Sequence, residues 1–422
     1  MLDINLIRRE PETVRQMLTV RNEPTEPLDA ILALDVQRRE ILGQSETLRA
    51  TRNTVSKDIG RMKDADEREA KKAEMRTVGD QIATLETELN KIESQLNELT
   101  AALPNLVDAR IPVGPEECNI ILRTEGEPKQ FDFAPKEHWE LGPALGILDF
   151  ERGVKLSGSR FYVLAGWGAR LQRALISWML NLRMEQGYTE VYLPFMVKEQ
   201  TLFAAGQLPK FRDNLFHDAE EDYWFVPTAE VPITNLHGQE ILSADELPKN
   251  YCAYTPCFRR ERMSAGKDVR GIKRGFQFDK VEMYSFTKPE DSEATHLKML
   301  ADAEETLKLL GLTYRVKLLA TGDIGFASRI TYDIEVWAPG CQEWLEVSSV
   351  SNVGDFQARR ANIKFRREKG GKAEFVHTLN GSGLGMPRAM IAVMENYQQA
   401  DGSIVVPEVL RSFVGTDLIT RI

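Results

Sequence analysis

One segment between two apolar stretches concentrates side chains that could bind a polyphosphate. Residues 258–282 read FRRERMSAGKDVRGIKRGFQFDKVE, with basic residues at 259, 260, 262, 267, 270, 273, 274 and 280. Phe258, Phe276 and Phe278 are interleaved with these charges. Arginine can clamp a phosphate with two parallel donors, and an aromatic ring can stack on a flat base. Charge runs are usually solvated faces, but the interleaved rings favour a phosphate group attached to a flat ring.

Read as strand, loop and strand, the segment places polar side chains on one face of a sheet. Arg259 and Glu261 would share a face of the first strand, because side chains alternate with period two. One face of the second strand would carry Phe276, Phe278, Lys280 and Glu282. An arginine, acids and an aromatic ring would then stand together. A cross-strand ladder of ion pairs on an exposed sheet is the competing interpretation.

Two further stretches favour the phosphate interpretation. EWLEVSSVSN places Glu346 and Ser349 where hard oxygen ligands could hold a divalent cation that bridges phosphates. NGSGLGMPRAM places Asn380, Ser382 and Arg388 at a glycine-rich entry to a helix. The positive end of the helix dipole, its free N–H groups and an arginine favour anions there.

The elements that carry these residues predict an α+β domain. RLQRALISWMLNLRMEQGY is an amphipathic helix that stops at Gly187, and EVYLPFMV is a strand whose Pro194 indicates an edge or interface position. The further strands are YCAYTPCFRRE, FQFDKVEMYSF, TYDIEVWAP, EWLEVSSVS and AEFVHTLNGS, and GMPRAMIAVMENYQQ is a closing helix. Without regular βα alternation, this order predicts an antiparallel sheet flanked by helices. Neither a P-loop nor a G-x-G-x-x-G motif occurs in the sequence.

The first 103 residues predict a different structure. They contain no aromatic Trp, Phe or Tyr, and apolar residues from Met75 to Leu99 recur at steps of three and four, which is a heptad seam. An earlier seam repeats every seven residues from Leu34 to Met62. Two helices of about 35 residues would form an antiparallel coiled hairpin roughly 50 Å long. An oligomerisation device with no other role is the alternative interpretation of such a hairpin.

The charge of the hairpin tip favours a further role. Five basic residues stand against the single acid Asp58 in residues 49–63: Arg49, Arg52, Lys57, Arg61 and Lys63. A cationic tip on a rigid rod suits the phosphates of a nucleic-acid backbone. We therefore expect an arm at 1–103, a proline-rich linker at 104–135 and a second domain at 136–422.

Composition narrows the class of protein. The 422 residues carry a formal net charge of −10, so contact with RNA would rely on local basic patches, and DNA is not an expected partner. Four cysteines without a CxxC pair give no zinc motif. The charged N-terminus is not a signal peptide, and no run of 18 apolar residues exists. A cytoplasmic protein without a membrane segment is expected.

These motifs resemble those of a known family. FRRE with RGIKRGFQFDKVE resembles motif 2 of the class II aminoacyl-tRNA synthetases, GLGMPR resembles motif 3, and the region around Pro194 resembles motif 1. The coiled hairpin, VPTAEVPIT, DFQARRANIKFR and MENYQQADGSIVVPEVL narrow the resemblance to the seryl-tRNA synthetase family, over nearly the whole chain. The resemblance departs at Phe276, where the family usually has His, and at Pro387, where many members have Gly.

The resemblance implies a homodimer that uses ATP and Mg²⁺ to join L-serine to tRNA-Ser, with tRNA-Sec as a further possible acceptor. Arg259 and Arg388 would be catalytic, and Glu346 with Ser349 would hold the metal. The implied ATP site comprises Arg259, Arg260, Glu261, Phe278, Glu346, Val347, Ser348, Ser349 and Arg388. The implied serine site comprises Thr228, Ala229, Glu230, Arg259, Glu282, Asn380 and Ser382. The hairpin tip would bind tRNA.

Other functions compete with this expectation. A synthetase paralogue that charges a carrier protein would lack the full-length hairpin. A non-catalytic coiled-coil adaptor would not need Arg259, Glu261, Glu346 and Arg388 together. A P-loop ATPase with a coiled arm would need the motif that this sequence does not contain.

Overall fold

The computed structural model describes residues 1–262 and 270–421, so Lys267 of the basic segment lies outside the described residues. The chain divides into two compact units, one formed by Leu2–Pro104 and the other by Met1 with Asn105–Ile422. Within the described ranges, no helix combines the length and the apolar character needed to cross a bilayer.

The first unit is helical: α1 Ile4–Arg9, α2 Pro11–Val20, α3 Glu26–Ile59 and α4 Ala65–Ala102. Helices α3 and α4 are antiparallel, because Arg38 approaches Glu93 and Arg49 approaches Glu86 across the pair. Their 34 and 38 residues agree with the predicted hairpin. The Asp64 carboxylate caps α4 by accepting the Glu67 N–H at 2.9 Å.

The predicted heptad seam of α4 faces its partner helix. Met75, Ile82, Ile92 and Leu96 are buried, whereas most residues between them are exposed. The apolar stripe explains why so polar a helix is stable, since its packing energy comes from this face rather than from helix propensity.

The second unit is built on an eight-stranded sheet with the order β1-β10-β11-β12-β15-β9-β8-β4. Its strands are β1 Ile120–Glu125, β4 Thr189–Glu190, β8 Lys249–Phe258, β9 Gln277–Thr287, β10 Tyr314–Leu318, β11 Ile330–Ala338, β12 Glu343–Gly354 and β15 His377–Gly385. Every neighbouring pair is antiparallel except β4 with β8. The predicted fold class is thus confirmed, and β1 comes from the stretch expected to be a linker.

Short strands and helices complete the unit. The remaining strands are β2 Leu148–Asp149, β3 Val163–Leu164, β5 Met196–Val197, β6 Trp224–Phe225, β7 Ile241–Ser243, β13 Lys364–Arg366, β14 Ala373–Phe375, β16 Ile404–Val405 and β17 Leu418–Ile419. Its helices are α5 His138–Ala144, α6 Phe150–Ser157, α7 Trp167–Glu185, α8 Glu199–Ala204, α9 Glu230–Asn235, α10 Ser292–Leu309, α11 Phe356–Ala361, α12 Met386–Tyr397 and α13 Arg411–Val414.

The main core lies between the sheet and the helices α7, α10 and α12. Val281 and Met283 of β9 point into it together with Leu175 of α7, Met299 of α10 and Met390 of α12. Because side chains alternate along a strand, the positions between the core residues of β9 face the other side of the sheet. That other side carries the candidate site.

Two strand predictions need correction. The continuous strand expected at 190–197 is instead β4 and β5, separated by irregular chain around Pro194, which has no N–H for a ladder hydrogen bond. Its first piece does lie at a sheet edge. AEFVHTLNGS likewise forms the two strands β14 and β15, which belong to different sheets.

Candidate functional site

A cavity of about 570 Å³ lies in the second unit against one face of the main sheet. Its floor is formed by alternate side chains of four neighbouring strands. These are Phe278, Lys280 and Glu282 of β9, Asn380 and Ser382 of β15, Ser349 and Ser351 of β12, and Thr331 and Asp333 of β11. A concave site with converging polar groups is the usual form of a small-molecule site.

A β-bulge brings Glu346 and Ser349 to the same cavity. Three residues apart, they would point to opposite faces of a regular strand. The pairing of β12 with β11 passes directly from Ser348 to Glu346, so Val347 is the extra residue of the bulge. Glu346, Val347 and Ser349 consequently all line the cavity.

Arg388 enters the cavity from the first turn of α12. Its Nη1 donates to the Glu346 backbone oxygen at 2.7 Å and lies 3.2 Å from the Glu346 Oε2. Asn380 and Ser382 were expected in the strand AEFVHTLNGS and at the glycine-rich entry to this helix. They belong to β15, whose pairing with β9 continues to Gly385, immediately before the helix.

The expected sharing of a strand face by Arg259 and Glu261 is also wrong. Strand β8 ends at Phe258, and the backbone N–H of Arg260 donates to the Asn214 oxygen at 3.0 Å, outside the ladder. Glu261 adopts φ 48°, in the left-handed region that extended strands do not use. Both Arg259 and Glu261 nevertheless line the cavity, because the chain turns back towards it.

Arg259 is held beside an aromatic ring. Its guanidinium carbon lies 5.1 Å from the centroid of the Phe278 ring, and its Nε donates to the Pro227 backbone oxygen at 3.1 Å. The Arg274 Nη1 lies 3.3 Å from the Glu261 Oε2. The cavity thus offers a cationic group beside a flat apolar surface at Arg259 and Phe278, and a cation paired with a carboxylate at Arg274 and Glu261.

A second group of lining residues combines the buried Glu282 with the partly buried Glu230 and Asn380. The Thr228 hydroxyl donates to the Glu282 Oε2 at 2.8 Å, and Glu282 is ion-paired with Lys280. The Glu230 Oε1 accepts from the Asn380 Nδ2 at 3.1 Å. Carboxylates and a hydroxyl arranged in this way can pair with a small group that carries both an ammonium and a hydroxyl.

Glu230 has the most distinctive electrostatics of this cluster. Burial, together with the negative charge of Glu282, raises the pKa of Glu230 to about 7. A hydrogen bond from the Gln357 Nε2 at 2.6 Å opposes that rise. Near neutral pH, Glu230 therefore exchanges readily between its neutral and charged forms, which is typical of functional carboxyls.

Asp333 is a cavity residue that the sequence reasoning missed. It is 8% exposed, and its Oδ1 has no hydrogen-bond partner among the described residues. Burial and the charge of Glu346 raise its pKa well above the ordinary value, whereas a hydrogen bond with Ser349 lowers it. The alternation of Thr331, Asp333 and Glu335 with apolar residues could have revealed this polar face.

Other lining residues come from distant parts of the chain. Lys273 and Arg274 belong to the basic segment, and both line the cavity, although the sequence assigned neither of them a role. Gln357 supports Glu230 from helix α11, and its amide nitrogen also donates to the Ala205 backbone oxygen at 3.0 Å. No local pattern marks Gln357, because its role depends on contacts between segments far apart in sequence.

Three residues of the expected set do not line the cavity. The Arg260 guanidinium lies over the Phe216 ring at 4.9 Å. Ala229 is buried within an apolar cluster next to the cavity. The Ser348 hydroxyl is buried and donates to the Ser382 backbone oxygen at 2.6 Å. Each lies next to a residue that does line the cavity, so sequence adjacency alone explains their inclusion.

Phe276 departs from the expected shared face as well. It precedes β9, and its ring packs edge-on against Phe161 and Phe216 at centroid distances of 5.9 and 6.1 Å. Among the described residues that line the cavity, Phe278 is the ring on β9. Phe276 therefore belongs to an aromatic cluster behind the site.

The basic residues of the arm tip are all exposed. Arg49, Arg52 and Lys57 lie in the second half of α3, whereas Arg61 and Lys63 lie in the turn before α4. Arg49 also forms an exposed ion pair with Glu86 at 2.5 Å, which contributes little to stability. These side chains are thus available to an anionic partner.

Comparisons with known proteins cover both units. Residues 1–107 match the family "Seryl-tRNA synthetase N-terminal domain", and residues 211–397 match "tRNA synthetase class II core domain (G, H, P, S and T)". The chain is 63% identical over 422 residues to the serine–tRNA ligase of Roseiflexus castenholzii, covering 100% of both chains.

Two solved structures are similar along the whole chain. The seryl-tRNA synthetase of Pyrococcus horikoshii complexed with ATP is 36% identical with a TM-score of 0.94, covering 100% of both chains. The cytoplasmic serine–tRNA ligase of Naegleria fowleri in complex with AMP is 30% identical with a TM-score of 0.89, covering 100% of this chain and 99% of that one.

Proposed function

Because this chain belongs to the seryl-tRNA synthetase family and joins serine to tRNA with ATP, we propose that its cavity is the place where serine is activated. The observation that carries the proposal is the arrangement of the cavity itself. Its lining combines arginines, a ring and hard oxygen ligands with a second set of carboxylates and a hydroxyl. The two sets match the two substrates of the activation step.

The nucleotide would occupy the part lined by Arg259, Phe278 and Arg388. Phe278 would stack on the adenine, and Glu261 would accept a hydrogen bond from the amine of that ring. Arg259 would neutralise the α-phosphate, and Arg388 would neutralise the γ-phosphate. The bulge residue Val347 would support the same surface. Arg260 and Ser348 act indirectly in this proposal, by fixing the residues beside them.

Serine would bind among the buried acids. The ammonium group would pair with Glu230 and Glu282, and Thr228, Asn380 and Ser382 would complete the polar surroundings. A pocket built to bond a hydroxyl rejects alanine strongly, because that analogue leaves buried polar groups unpaired. Threonine would be excluded by the size of the pocket. Ala229 contributes only to the wall behind it.

The donor groups fit a magnesium ion as well. Glu346 and Ser349 offer hard oxygens from one strand, and the buried Asp333 Oδ1 has no partner within the described ranges. We therefore propose Glu346 and Ser349 as the metal ligands, with Asp333 beside them. A bound Mg²⁺ would neutralise phosphate charge and orient the phosphate chain.

The reaction needs positioning more than side-chain chemistry. The serine carboxylate attacks the α-phosphorus of ATP, forming seryl-adenylate as the bond to pyrophosphate breaks. A ribose hydroxyl at the tRNA 3′ end then attacks the acyl carbon and releases AMP. No protein nucleophile is required. Arg259 would hold the reacting α-phosphate and stabilise its developing charge, and Arg388 would neutralise the γ-phosphate of the leaving pyrophosphate.

The remaining features support a tRNA-binding homodimer. We propose that residues 1–103 form the arm whose exposed basic tip contacts tRNA-Ser, and that residues 136–422 form the catalytic domain. Tyr192 and Met196, which flank Pro194, are 85% and 52% exposed, and this apolar surface suits a second copy of the chain. Because tRNA charging serves translation, the proposed location is the cytoplasm.

Amino-acid-dependent exchange of pyrophosphate into ATP tests the proposal, with each of the twenty amino acids supplied in turn. Exchange with serine alone is expected. Exchange with another amino acid would indicate a repurposed paralogue that charges a carrier. No exchange with any of them would favour the non-catalytic adaptor. Charging of a tRNA-Ser transcript then tests the second step.

A further inference from the structure

A buried cluster of three polar side chains lies outside the cavity. The His138 Nδ1 lies 2.9 Å from the Glu395 Oε1, and the Cys341 Sγ lies 3.1 Å from the same oxygen. His138 and Glu395 are completely buried, and they join the start of α5 to helix α12. Nothing in the activation step described above uses this cluster, although burying such groups is costly unless they are fully hydrogen-bonded.

The hydrogen bonds define the role of each group. The Glu395 carboxylate also accepts from the backbone N–H of His138 at 3.0 Å, Gly340 at 2.9 Å and Cys341 at 3.0 Å. Burial alone would raise the pKa of Glu395, but the hydrogen bonds from His138 and Cys341 hold it below its ordinary value. Glu395 is therefore an ionised acceptor with both oxygens occupied.

The His138 imidazole links Glu395 to the backbone of Ile272. The backbone N–H of Ile272 donates to the His138 Nε2 at 3.2 Å, so that nitrogen must be the unprotonated one. The proton therefore resides on Nδ1 and is donated to Glu395. Because each ring nitrogen already has a partner, this cluster is a chain of hydrogen bonds rather than a metal site, in spite of its His, Cys and Glu composition.

Ile272 immediately precedes the two cations that reach the cavity. Lys273 and Arg274 both line it, and Ile272 is itself 1% exposed. At Gly271, φ is 72° and an added Cβ would lie 2.0 Å from the His138 Nε2, so the backbone is pressed against the imidazole. His138 therefore contacts this stretch of backbone at two adjacent positions, Gly271 and Ile272.

The turn that holds Cys341 restrains the same stretch a second time. Glu343, two residues after Cys341, accepts from the Lys273 Nζ at 2.5 Å. Trp139, adjacent to His138, lies under the same lysine, with the Nζ 5.6 Å from its ring centroid. The backbone and the side chain of the 271–274 stretch are thus both anchored on the elements that Glu395 ties together.

We propose that His138, oriented by Glu395, is a positioning residue. It fixes the position of the Ile272 backbone and thereby places Lys273 and Arg274 where they can contact the phosphates of ATP. The inference rests on the proposed function of the cavity. It assigns a role in the first half-reaction to a residue that touches neither substrate. Serine recognition does not depend on it, because the side chains of Thr228 and Glu230 hydrogen-bond with Glu282, Gln357 and Asn380 instead.

A matched pair of variants tests this role. Asparagine at 138 can place its amide nitrogen near the position of Nδ1, but it loses the acceptor for Ile272. Glutamine can place its oxygen near the position of Nε2 and restore that acceptor. In pyrophosphate exchange with the full-length protein, His138→Asn should raise the KM for ATP about tenfold and leave the KM for serine unchanged. His138→Gln should recover most of that loss.

A second approach leaves the histidine intact. Gly271→Ala should push the backbone away from the imidazole and raise the KM for ATP similarly. The double variant Gly271→Ala with His138→Asn should be no worse than either single change, because both break one connection. Tyr314→Phe, which removes a buried hydrogen bond to Glu304 at 3.0 Å on strand β10, controls for general loss of stability.

The outcomes separate the two proposals. Absence of serine-dependent exchange in the unaltered protein would overturn the proposed function of the cavity. Normal exchange with an unchanged KM for ATP in His138→Asn and in Gly271→Ala would overturn the positioning role alone. Equal loss of ATP and serine affinity in the Asn and Gln variants would also overturn it, because that pattern indicates a merely structural histidine.

Discussion

Replacing Glu230 by glutamine should stabilise the catalytic unit at alkaline pH while it abolishes serine activation. The pKa of Glu230 is about 7 in the folded chain, against an ordinary value of 4.5. Between these two values the unfolded chain loses the proton before the folded chain does. The contribution of this group to stability is therefore fully present below pH 4.5 and is lost as the pH rises to 7.

The size of the effect follows from the same two values. A pKa difference of roughly 2.5 units corresponds to about 3 kcal/mol of penalty for holding Glu230 charged at pH 8. Glutamine cannot ionise, and its amide oxygen can still accept from Gln357 and Asn380. For a unit the size of residues 105–422, the gain amounts to roughly 4–5 °C in melting temperature at pH 8 and should mostly vanish at pH 4.5.

Thermal unfolding of both proteins across this pH range is the assay. Glu282→Gln is the matched control in the same cluster: it leaves the buried Lys280 ammonium without its carboxylate, so it should destabilise the chain. Serine should raise the melting temperature of the unaltered protein at pH 8 but not that of Glu230→Gln. A Glu230→Gln variant with no pH-dependent gain would refute the argument that burial dominates the electrostatics of Glu230.

Three other changes test the remaining assignments. Arg259→Ala should lower serine-dependent pyrophosphate exchange by on the order of 10³-fold with an unchanged melting temperature, and near-normal exchange would contradict its role at the α-phosphate. Deleting residues 30–100 should spare that exchange but remove tRNA charging; loss of both activities would make the arm a structural requirement of the catalytic unit. Asp333→Asn should weaken Mn²⁺ binding about tenfold in the presence of ATP, measured by electron paramagnetic resonance, whereas Asp279→Asn outside the cavity should not.

Local periodicity accounts for the parts of the fold that the sequence predicted well. The heptad seam from Met75 onwards and the alternation of Phe278, Lys280 and Glu282 both follow from the geometry of one helix or one strand. The assignment to the seryl-tRNA synthetase family is confirmed by full-length relatives, and the antiparallel sheet follows with it. Patterns of this kind need no knowledge of what packs against the segment.

Non-local contacts explain what the sequence could not predict. Strand β8 ends at Phe258 because the backbone N–H of Arg260 donates to the backbone oxygen of Asn214, which lies about 46 residues earlier in the chain. For the same reason, the sequence could not predict the hydrogen bond of Gln357 with Glu230 or that of His138 with the Ile272 backbone. Each of these contacts joins segments whose separation along the chain carries no periodic signal.

The bulge at Val347 restricts how the site can change over generations. Glu346 and Ser349 face the cavity together only because one residue of β12 has no partner on β11. If Val347 were instead paired in a regular ladder, Glu346 would turn towards the apolar core, because residues three apart on a regular strand face opposite sides of the sheet. Substitutions along β12 alter one side chain at a time, whereas a one-residue shift in pairing exchanges the inner and outer sets of side chains together. Single substitutions can therefore vary the cavity during evolution, but the pairing register of β12 with β11 must be kept.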